Sequence, residues 1–400
     1  MFKHAVYWAA MAACAAMAQT AYAATEWAQY QGNAQHTGYA NVTLSNDFSL
    51  AWAKNFSGGI NPVAAADGSV FVTTTGYFAG QYLYALDAAT GQERWSKNFG
   101  SIYSVNPPSY ANGTVYLQTG NHGGDSYFRG YNSASGDLVV KTPFSAQWER
   151  YQAPTLLNGN AYVNGGYYGG AYSFNLASGN QRWFTGLEQY DGWTPAVSDK
   201  YVVTYTGGNL RVLDPNTGAV TQTISDPNFS WSGWTAGPAP VLVGDHAFET
   251  AAGHLSSFNL LTGGIDWSVS GVTGQIATDG HEIFAIRNGT LSSLDLLTGA
   301  TNWMWEDPGN SSFSGEVLAT QNYVFVSGSS QSYVIDRVTH KVVKTFGDTG
   351  RIALGNDMMY IATASGLVAY NVTTVPEPAS LMLMALGLGG LALARRKKTA

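Results

Sequence analysis

The sequence is poor in charged residues and has almost no cysteine. Charged residues make up 11% of its 400 positions, and the one cysteine is Cys14. So little charge is unfavourable for surface helices, whose outer faces need charged and polar side chains. In contrast, 47 glycines, 24 tyrosines, 17 phenylalanines and 12 tryptophans suit short strands joined by tight turns. The composition therefore favours an all-β fold.

Residues 1–23 have the features of a secretory signal peptide. An apolar stretch from Ala5 to Ala18 precedes Ala21-Tyr22-Ala23, a small-residue motif that is typical of a cleavage site. Cleavage there removes Cys14, so we expect the exported chain to contain no thiol and no disulfide. The four residues that end at Cys14 also loosely resemble a lipobox, and a lipoprotein that begins at this cysteine is the alternative.

The C-terminal residues combine three features of a sorting signal. Pro376, Glu377 and Pro378 precede an apolar run from Leu381 to Ala394, and the four basic residues 395–398 follow it. A basic cluster directly after an apolar run holds that end of the chain in the cytoplasm. We therefore predict that the run forms a short hydrophobic helix that crosses the membrane.

This order of features, over residues 375–400, resembles the PEP-CTERM sorting signals of Gram-negative exopolysaccharide producers. The resemblance implies that an exosortase-type sorting protease recognises the segment. It also implies export to the cell envelope or the extracellular space, with the C-terminus in the membrane either transiently or stably. Whether the segment is removed or retained stays open.

The charge distribution argues against nucleic acid as a partner. The whole chain has a formal net charge of −7, and its two ends carry five of the 19 basic residues but one of the 26 acidic ones. The part between the ends is therefore more acidic than the whole. A surface of that sign repels both nucleic acid and anionic membrane surfaces.

A repeated strand, turn and strand unit indicates the architecture. The clearest copies have Asp or Asn at the start of the turn and Gly at its end, because Asp and Asn bond backbone amides two residues on and Gly adopts the left-handed conformation. The turns begin at Asp87, Asn132, Asn175, Asp214, Asn259, Asp295, Asp336 and Asn371. Their mean spacing of about 41 residues is typical of one four-stranded propeller blade per repeat.

The two ends of the repeat region complement each other. The eighth copy lacks its last strand, whereas residues 50–56 match the outer strand 94–99 of the first copy. We therefore predict an eight-bladed β-propeller over residues 24–374, with four-stranded blades and the last blade closed by the N-terminal strand. Closure of the ring removes exposed sheet edges.

The repeated turn, followed in several copies by Trp, and the stretch Gln31 to Gly38 resemble the pyrroloquinoline-quinone-like propeller superfamily. The resemblance implies the fold more than the function. The superfamily includes quinone-dependent dehydrogenases, scaffold lipoproteins of outer-membrane assembly, and surface proteins.

The motifs of an enzyme are missing. The quinone-dependent dehydrogenases characteristically place a disulfide of adjacent cysteines over the cofactor, which this chain cannot form. The seven histidines show no metal-ligand spacing, and neither G-x-S-x-G nor H-E-x-x-H occurs. We therefore predict a non-enzymatic protein with no catalytic, cofactor-binding or metal-binding residues.

Candidate binding residues are aromatic side chains outside the repeat. Tryptophans of the repeated outer strand are predicted to pack between blades, and these are Trp52, Trp95, Trp183, Trp267 and Trp303. Four others fall in connections between blades, namely Trp148, Trp193, Trp231 and Trp234. Long Gly/Tyr-rich loops at 75–81, 120–126 and 165–170 are expected on the same face of the propeller. These aromatics either bind a glycan or pack on one another and cap the channel.

Three polar residues are predicted at the mouth of the central channel. Aligned inner strands place Gln275, Glu316 and Arg351 there, with Glu316 and Arg351 able to form a structural ion pair. We expect an exported surface or matrix protein that binds polysaccharide or envelope proteins. An assembly scaffold with a lipidated Cys14 and a quinone-dependent dehydrogenase are the alternatives.

Overall fold

A computed structural model describes residues 26–121, 126–147, 150–231, 237, 239–307 and 313–375. The signal peptide, the sorting motif Pro376, Glu377 and Pro378, and the predicted C-terminal hydrophobic helix lie outside the described residues. Within the described ranges, no helix is long and apolar enough to cross a membrane.

The described chain forms an eight-bladed propeller of antiparallel, mostly four-stranded blades, which confirms the predicted fold. A 3-10 turn (Tyr30–Gly32) and β1 (Tyr39–Ala40) precede the blades. Blade 1 consists of β3 (Ala64–Ala66), β4 (Ser69–Thr73), β5 (Gly80–Asp87) and β6 (Glu93–Ser101). Blade 2 consists of β7 (Ser104–Val105), β8 (Ser109–Ala111), β9 (Thr114–Gly120), β10 (Tyr127–Asn132) and β11 (Leu138–Pro143). Blade 3 consists of β12 (Thr155–Leu157), β13 (Asn160–Asn164), β14 (Gly170–Asn175) and β15 (Gln181–Gly186), and blade 4 of β16 (Ala196–Val197), β17 (Val202–Thr206), β18 (Asn209–Leu213) and β19 (Val220–Ser225).

Blades 5 to 8 repeat the same order from the channel outwards. Blade 5 consists of β20 (Val241–Val243), β21 (His246–Ala251), β22 (His254–Asn259) and β23 (Gly264–Ser270), and blade 6 of β24 (Val272–Thr278), β25 (Glu282–Arg287), β26 (Thr290–Asp295) and β27 (Thr301–Trp305). Blade 7 consists of β28 (Phe313–Thr320), β29 (Tyr323–Gly328), β30 (Ser332–Asp336) and β31 (Val342–Phe346). Blade 8 consists of β32 (Arg351–Gly355), β33 (Met358–Ala362), β34 (Gly366–Thr374) and β2 (Leu44–Asn55). A parallel bridge between Gln275 and Glu316 joins blades 6 and 7 into one sheet.

The N-terminal strand closes the ring as predicted. Strand β2 pairs antiparallel with β34, from Leu44 opposite Thr374 to Asn55 opposite Gly366. It therefore supplies the outer strand of blade 8. The inner strand β32 of that blade contacts the inner strand β3 of blade 1, which completes the circle.

Seven of the eight predicted turns are each held by the side chain of their first residue. The eighth prediction is wrong, because Asn371 lies within β34 and no turn begins there. The Oδ1 atom of Asp295 accepts hydrogen bonds from the backbone N–H groups of Leu297 and Thr298 at 3.2 and 2.9 Å. It also accepts one from the Thr298 hydroxyl at 2.7 Å. Gly299 follows with φ of 69°. The Asp and Asn residues of the repeat thus serve as turn formers.

Tryptophans of the outer strands connect neighbouring blades, as the repeat predicts. The indole N–H of Trp95 in blade 1 donates to the Ser133 carbonyl in the turn of blade 2 at 2.8 Å. The ring also covers Gly136 of that turn, where an added Cβ atom would lie 2.7 Å from it. Trp52, Trp183 and Trp267 make the corresponding bonds to the next blade. Hydrophobic clusters fill the spaces between the sheets.

Candidate functional site

The propeller has two different faces. At the loop face the inner strands begin, and the loops between second and third strands lie there, including 74–79 in blade 1 and 165–169 in blade 3. At the turn face lie the tight turns that follow the first and third strands, such as 295–299 in blade 6. The antiparallel order of the blades fixes this arrangement.

The N-terminal segment, residues 27–40, closes the channel near the turn face. Inner strands of seven blades each donate a backbone N–H to this segment at 2.6 to 2.9 Å. The donors are Ala65, Tyr110, Leu156, Val197, Leu242, Thr278 and Ala319, in blades 1 to 7 in order. The segment therefore ties the ring together and forms the floor of the channel.

His36 anchors this segment at the centre of the molecule. Its side chain is fully buried, its Nδ1 donates to the Pro240 carbonyl at 2.9 Å, and its Nε2 accepts from the Thr155 hydroxyl at 2.9 Å. The Tyr30 ring packs edge-on against it at 5.2 Å. Burial lowers the pKa of His36 to about 4, although the Pro240 hydrogen bond opposes this. His36 is therefore neutral at physiological pH.

Above this floor a cavity of about 530 Å³ opens to the loop face. Its volume is in the range of ligand-binding pockets. Residues of the N-terminal segment, of the inner strands and the connections that lead into them, and of the second strand of blade 5 line it, and these include Tyr30, Gln152, Thr250, Thr273, Gln275, Glu316 and Arg351. Five glycines also line it, and at three of them, 237, 253 and 315, an added Cβ atom would meet no atom within 4 Å. Their lack of side chains keeps the space open.

The three polar residues predicted at the channel mouth all lie around this cavity. The Gln275 side chain is buried, accepts from the Tyr30 hydroxyl at 3.2 Å and donates to the Ala239 carbonyl at 3.0 Å. Glu316 and Arg351 form an ion pair at 3.6 Å, with half of the Arg351 side chain exposed. Burial, followed by the Glu316 charge, raises the pKa of Tyr30 well above its usual value.

A buried carboxyl group lies in blade 5, next to the cavity-lining Thr250. Glu249 is 3% exposed, and its Oε2 has no hydrogen-bond partner among the described residues. Burial and, after it, the charge of Asp226 raise its pKa well above the usual value. Because a buried carboxylate with one oxygen unpaired is costly, this environment favours the protonated form of the group.

Exposed aromatic rings surround the loop face. In the blade 1 loop, Tyr77 and Phe78 are 57% and 51% exposed, and the guanidinium of Arg150 lies 3.9 Å from the centre of the Tyr77 ring. In the blade 3 loop, Tyr168 is 76% exposed. Trp231, in the connection from blade 4 to blade 5, is 67% exposed. Large exposed rings of this kind are typical of binding surfaces.

The four tryptophans proposed from the sequence as ligand-binding residues do not share the same exposure. Trp231 is exposed, but Trp193 is 1% exposed and its indole N–H donates to the Tyr190 carbonyl at 2.9 Å. Trp193 packs with Ala153 and Ala239 and presents no surface to a ligand, which corrects its proposed role. Trp148 and Trp234 lie outside the described residues. The exposed loop tyrosines are the stronger candidates, and their Gly/Tyr-rich loops were the sequence signal for them.

Metal-binding side chains do not converge in the part of the chain that the structure describes, since no group of three or more His, Cys, Asp or Glu residues is placed to hold an ion. The Asp and Asn residues of the turns are engaged in turn hydrogen bonds on the opposite face from the cavity. The cavity presents amide, hydroxyl, guanidinium and carboxylate groups to a ligand.

Comparison with known families assigns the propeller and the C-terminus separately. The family model described as outer membrane protein assembly factor BamB matches residues 42–187, 128–304 and 168–374, and the chain belongs to this family. The PEP-CTERM protein-sorting motif matches residues 374–398, which marks the chain for export to the cell envelope and recognition by an exosortase. No curated protein sequence matches the chain.

Solved structures share the fold at low sequence identity. BamB from Moraxella catarrhalis is 12% identical with a TM-score of 0.62, covering 81% of this chain and 100% of that one. A computationally designed protein, Ika8, is 15% identical with a TM-score of 0.67, covering 82% of this chain and 100% of that one. A europium-containing methanol dehydrogenase is 11% identical with a TM-score of 0.65, covering 87% and 98%. At such identities the likeness establishes the fold alone.

Proposed function

We propose that this protein is an exported, non-enzymatic binding protein of the cell envelope that holds a polysaccharide on its loop face. The observation that carries the proposal is the set of exposed rings around that face, with Tyr77, Tyr168 and Trp231 each more than half exposed. Sugar rings pack their C–H groups on flat aromatic rings, because both surfaces are apolar and their shapes match.

The cavity supports the same ligand class. Gln152 and Thr250 line it and contribute an amide and a hydroxyl group, which match the hydrogen-bonding groups of a sugar. The Glu316–Arg351 pair adds an acceptor and a planar set of donors at the rim. A polyhydroxylated ligand matches these mixed donors and acceptors better than an apolar one.

The test uses affinity electrophoresis to compare how strongly the producer's own polysaccharide retains purified wild-type protein and a variant. The variant replaces Tyr77, Tyr168 and Trp231 by Ala. If each ring contributes about 1 kcal/mol, the dissociation constant rises at least about fivefold, and up to about 150-fold if the effects add.

A matched control replaces three exposed apolar side chains of the turn face by Ala, namely Leu261, Leu297 and Val338. These side chains are 69%, 68% and 85% exposed, so the same apolar character is removed from the opposite face. We expect unchanged retention for this control. Equal retention of wild type and the aromatic variant would contradict the polysaccharide proposal.

Family membership favours a second candidate, an envelope scaffold that binds proteins in the manner of an assembly factor. This alternative requires lipidation at Cys14, which the intact mass of the exported protein reveals. A lipidated N-terminus together with cross-linking of the loop face to outer-membrane proteins would favour the scaffold over the polysaccharide-binding protein.

A further inference from the structure

The turn face of blades 5 to 7 carries a row of exposed apolar side chains. Leu261, Leu297 and Val338 each stand two residues after the Asn or Asp that begins the repeated turn. Their exposed fractions are 69%, 68% and 85%. Exposed apolar side chains at the same position of three adjacent blades form a surface whose burial is favourable.

In blade 8 the chain leaves the propeller at this same position. The residue before each of these exposed apolar residues donates its backbone N–H to the turn that follows the inner strand of the same blade. This bond joins Leu260 to Asp245 at 2.9 Å and Leu296 to His281 at 3.2 Å. Val372 makes the corresponding bond to Asp357 at 3.0 Å. The chain therefore passes through the turn face after Val372 without turning back.

The exit is held in place by the N-terminal strand. The N–H of Val375 donates to the Thr43 carbonyl at 2.8 Å, and the Val375 side chain is 42% exposed. Exposed apolar side chains thus extend over blades 5 to 8, with the start of the C-terminal tail at one end of the row.

The length of the tail limits how far this face can stand from a membrane. Residues 376–380 separate Val375 from the apolar run, which begins at Leu381. An extended chain spans at most about 3.6 Å per residue, so the linker reaches roughly 20 Å. With the run inserted in a bilayer, the turn face lies next to the lipid surface.

We propose that the turn face of blades 5 to 8 rests on the lipid bilayer, with Leu261, Leu297 and Val338 in contact with it, and that the loop face points away. The proposal rests on insertion of the apolar run that begins at Leu381 into the membrane, and not on the polysaccharide ligand of the proposed function. It places the exposed loop aromatics where an extracellular polymer reaches them.

The absence of other cysteines after Ala23 allows a direct test with single labels. The full chain with its tail is reconstituted in phosphatidylcholine vesicles, whose surface carries no net charge. Two single-cysteine variants, Leu297→Cys and Val338→Cys, are each labelled with a polarity-sensitive fluorophore. The measurement is the quenching of this fluorescence by nitroxide-labelled lipids in the bilayer. Tyr168→Cys on the loop face is the matched control, being 76% exposed.

We expect labels at positions 297 and 338 to be quenched several-fold more than the label at 168, and this difference to vanish in a chain that ends at residue 375. Equal quenching at both faces overturns the orientation, as does cross-linking of two chains through position 297. Release of the full chain from cell membranes also overturns it, whereas retention by polysaccharide in the earlier assay remains a separate result.

Discussion

The buried histidine at the centre of the ring predicts how stability depends on pH. His36 is fully buried, and its pKa falls from 6.5 to about 4 on folding. Folding therefore favours the neutral ring, and the unfolded chain binds a proton that the folded chain does not between these two values. The free energy of unfolding must then fall as the pH falls from 6.5 towards 4.

The magnitude follows from the same two values. A change in pKa from 6.5 to about 4 corresponds to about 3 kcal/mol of stability, all of it present above pH 6.5. A loss of that size is a large fraction of the stability of an ordinary domain. Because His36 bonds Pro240 of blade 5 and Thr155 of blade 3, its protonation weakens the ring as a whole.

The assay is urea unfolding followed by tryptophan fluorescence at several pH values between 4 and 7.5. His36→Asn is the comparison, since φ at this position is 61° and Asn tolerates the left-handed region. Subtracting the two curves removes the contributions of all other titrating groups. We expect wild type to lose about 3 kcal/mol more than the variant across this range. Parallel curves would refute the reasoning.

Three further predictions concern the ring and its buried groups. Gly113→Ala and Gly136→Ala both place Ala at positive φ in blade 2, but only the Ala at position 136 meets the Trp95 ring. In thermal unfolding we expect Gly113→Ala to lose about 1 kcal/mol of stability and Gly136→Ala to lose about 2 kcal/mol more than that. Equal losses would contradict the packing role of the tryptophan. Deleting residues 45–56 removes most of the outer strand of blade 8 and should lower the melting temperature of the whole propeller, and an unchanged temperature would contradict closure by this strand. The pKa of Glu249 is raised in the folded state, so its contribution to stability is full below about pH 4.5 and is lost as the pH rises. In urea unfolding we therefore expect Glu249→Gln to become more stable relative to wild type as the pH rises from about 4.5 to about 8. If the variant instead became more stable relative to wild type as the pH falls, the protonated form of Glu249 would be contradicted.

The repeat was predictable because its chemistry is local. The Asp295 carboxylate, the Thr298 hydroxyl and the positive φ of Gly299 act within five residues, so each turn is readable as a short motif. The eighth repeat lacks its outer strand, and the segment near residue 50 matches an outer strand, so the sequence predicted that this segment closes the ring. The pairing of β2 with β34 confirmed this prediction.

The candidate site was only partly predictable. Gln275, Glu316 and Arg351 could be aligned on the inner strands, and all three lie around the cavity. Trp193 was a candidate for ligand contact because it falls between blades, yet Ala153 and Ala239 from the neighbouring blades cover it. Burial of a side chain depends on residues far apart in sequence, which no local pattern contains.

By itself, then, the sequence determined the all-β class, the number of blades, the shared eighth blade and the C-terminal sorting signal, because each depends on residues close together or on direct repetition. Only the tertiary structure decided which aromatic rings are exposed, that residues 27–40 close the channel, and that the tail leaves from the turn face. These features arise from bonds between distant segments, such as Ala319 with Gly38 and Val375 with Thr43, whose partners are set by the closed ring.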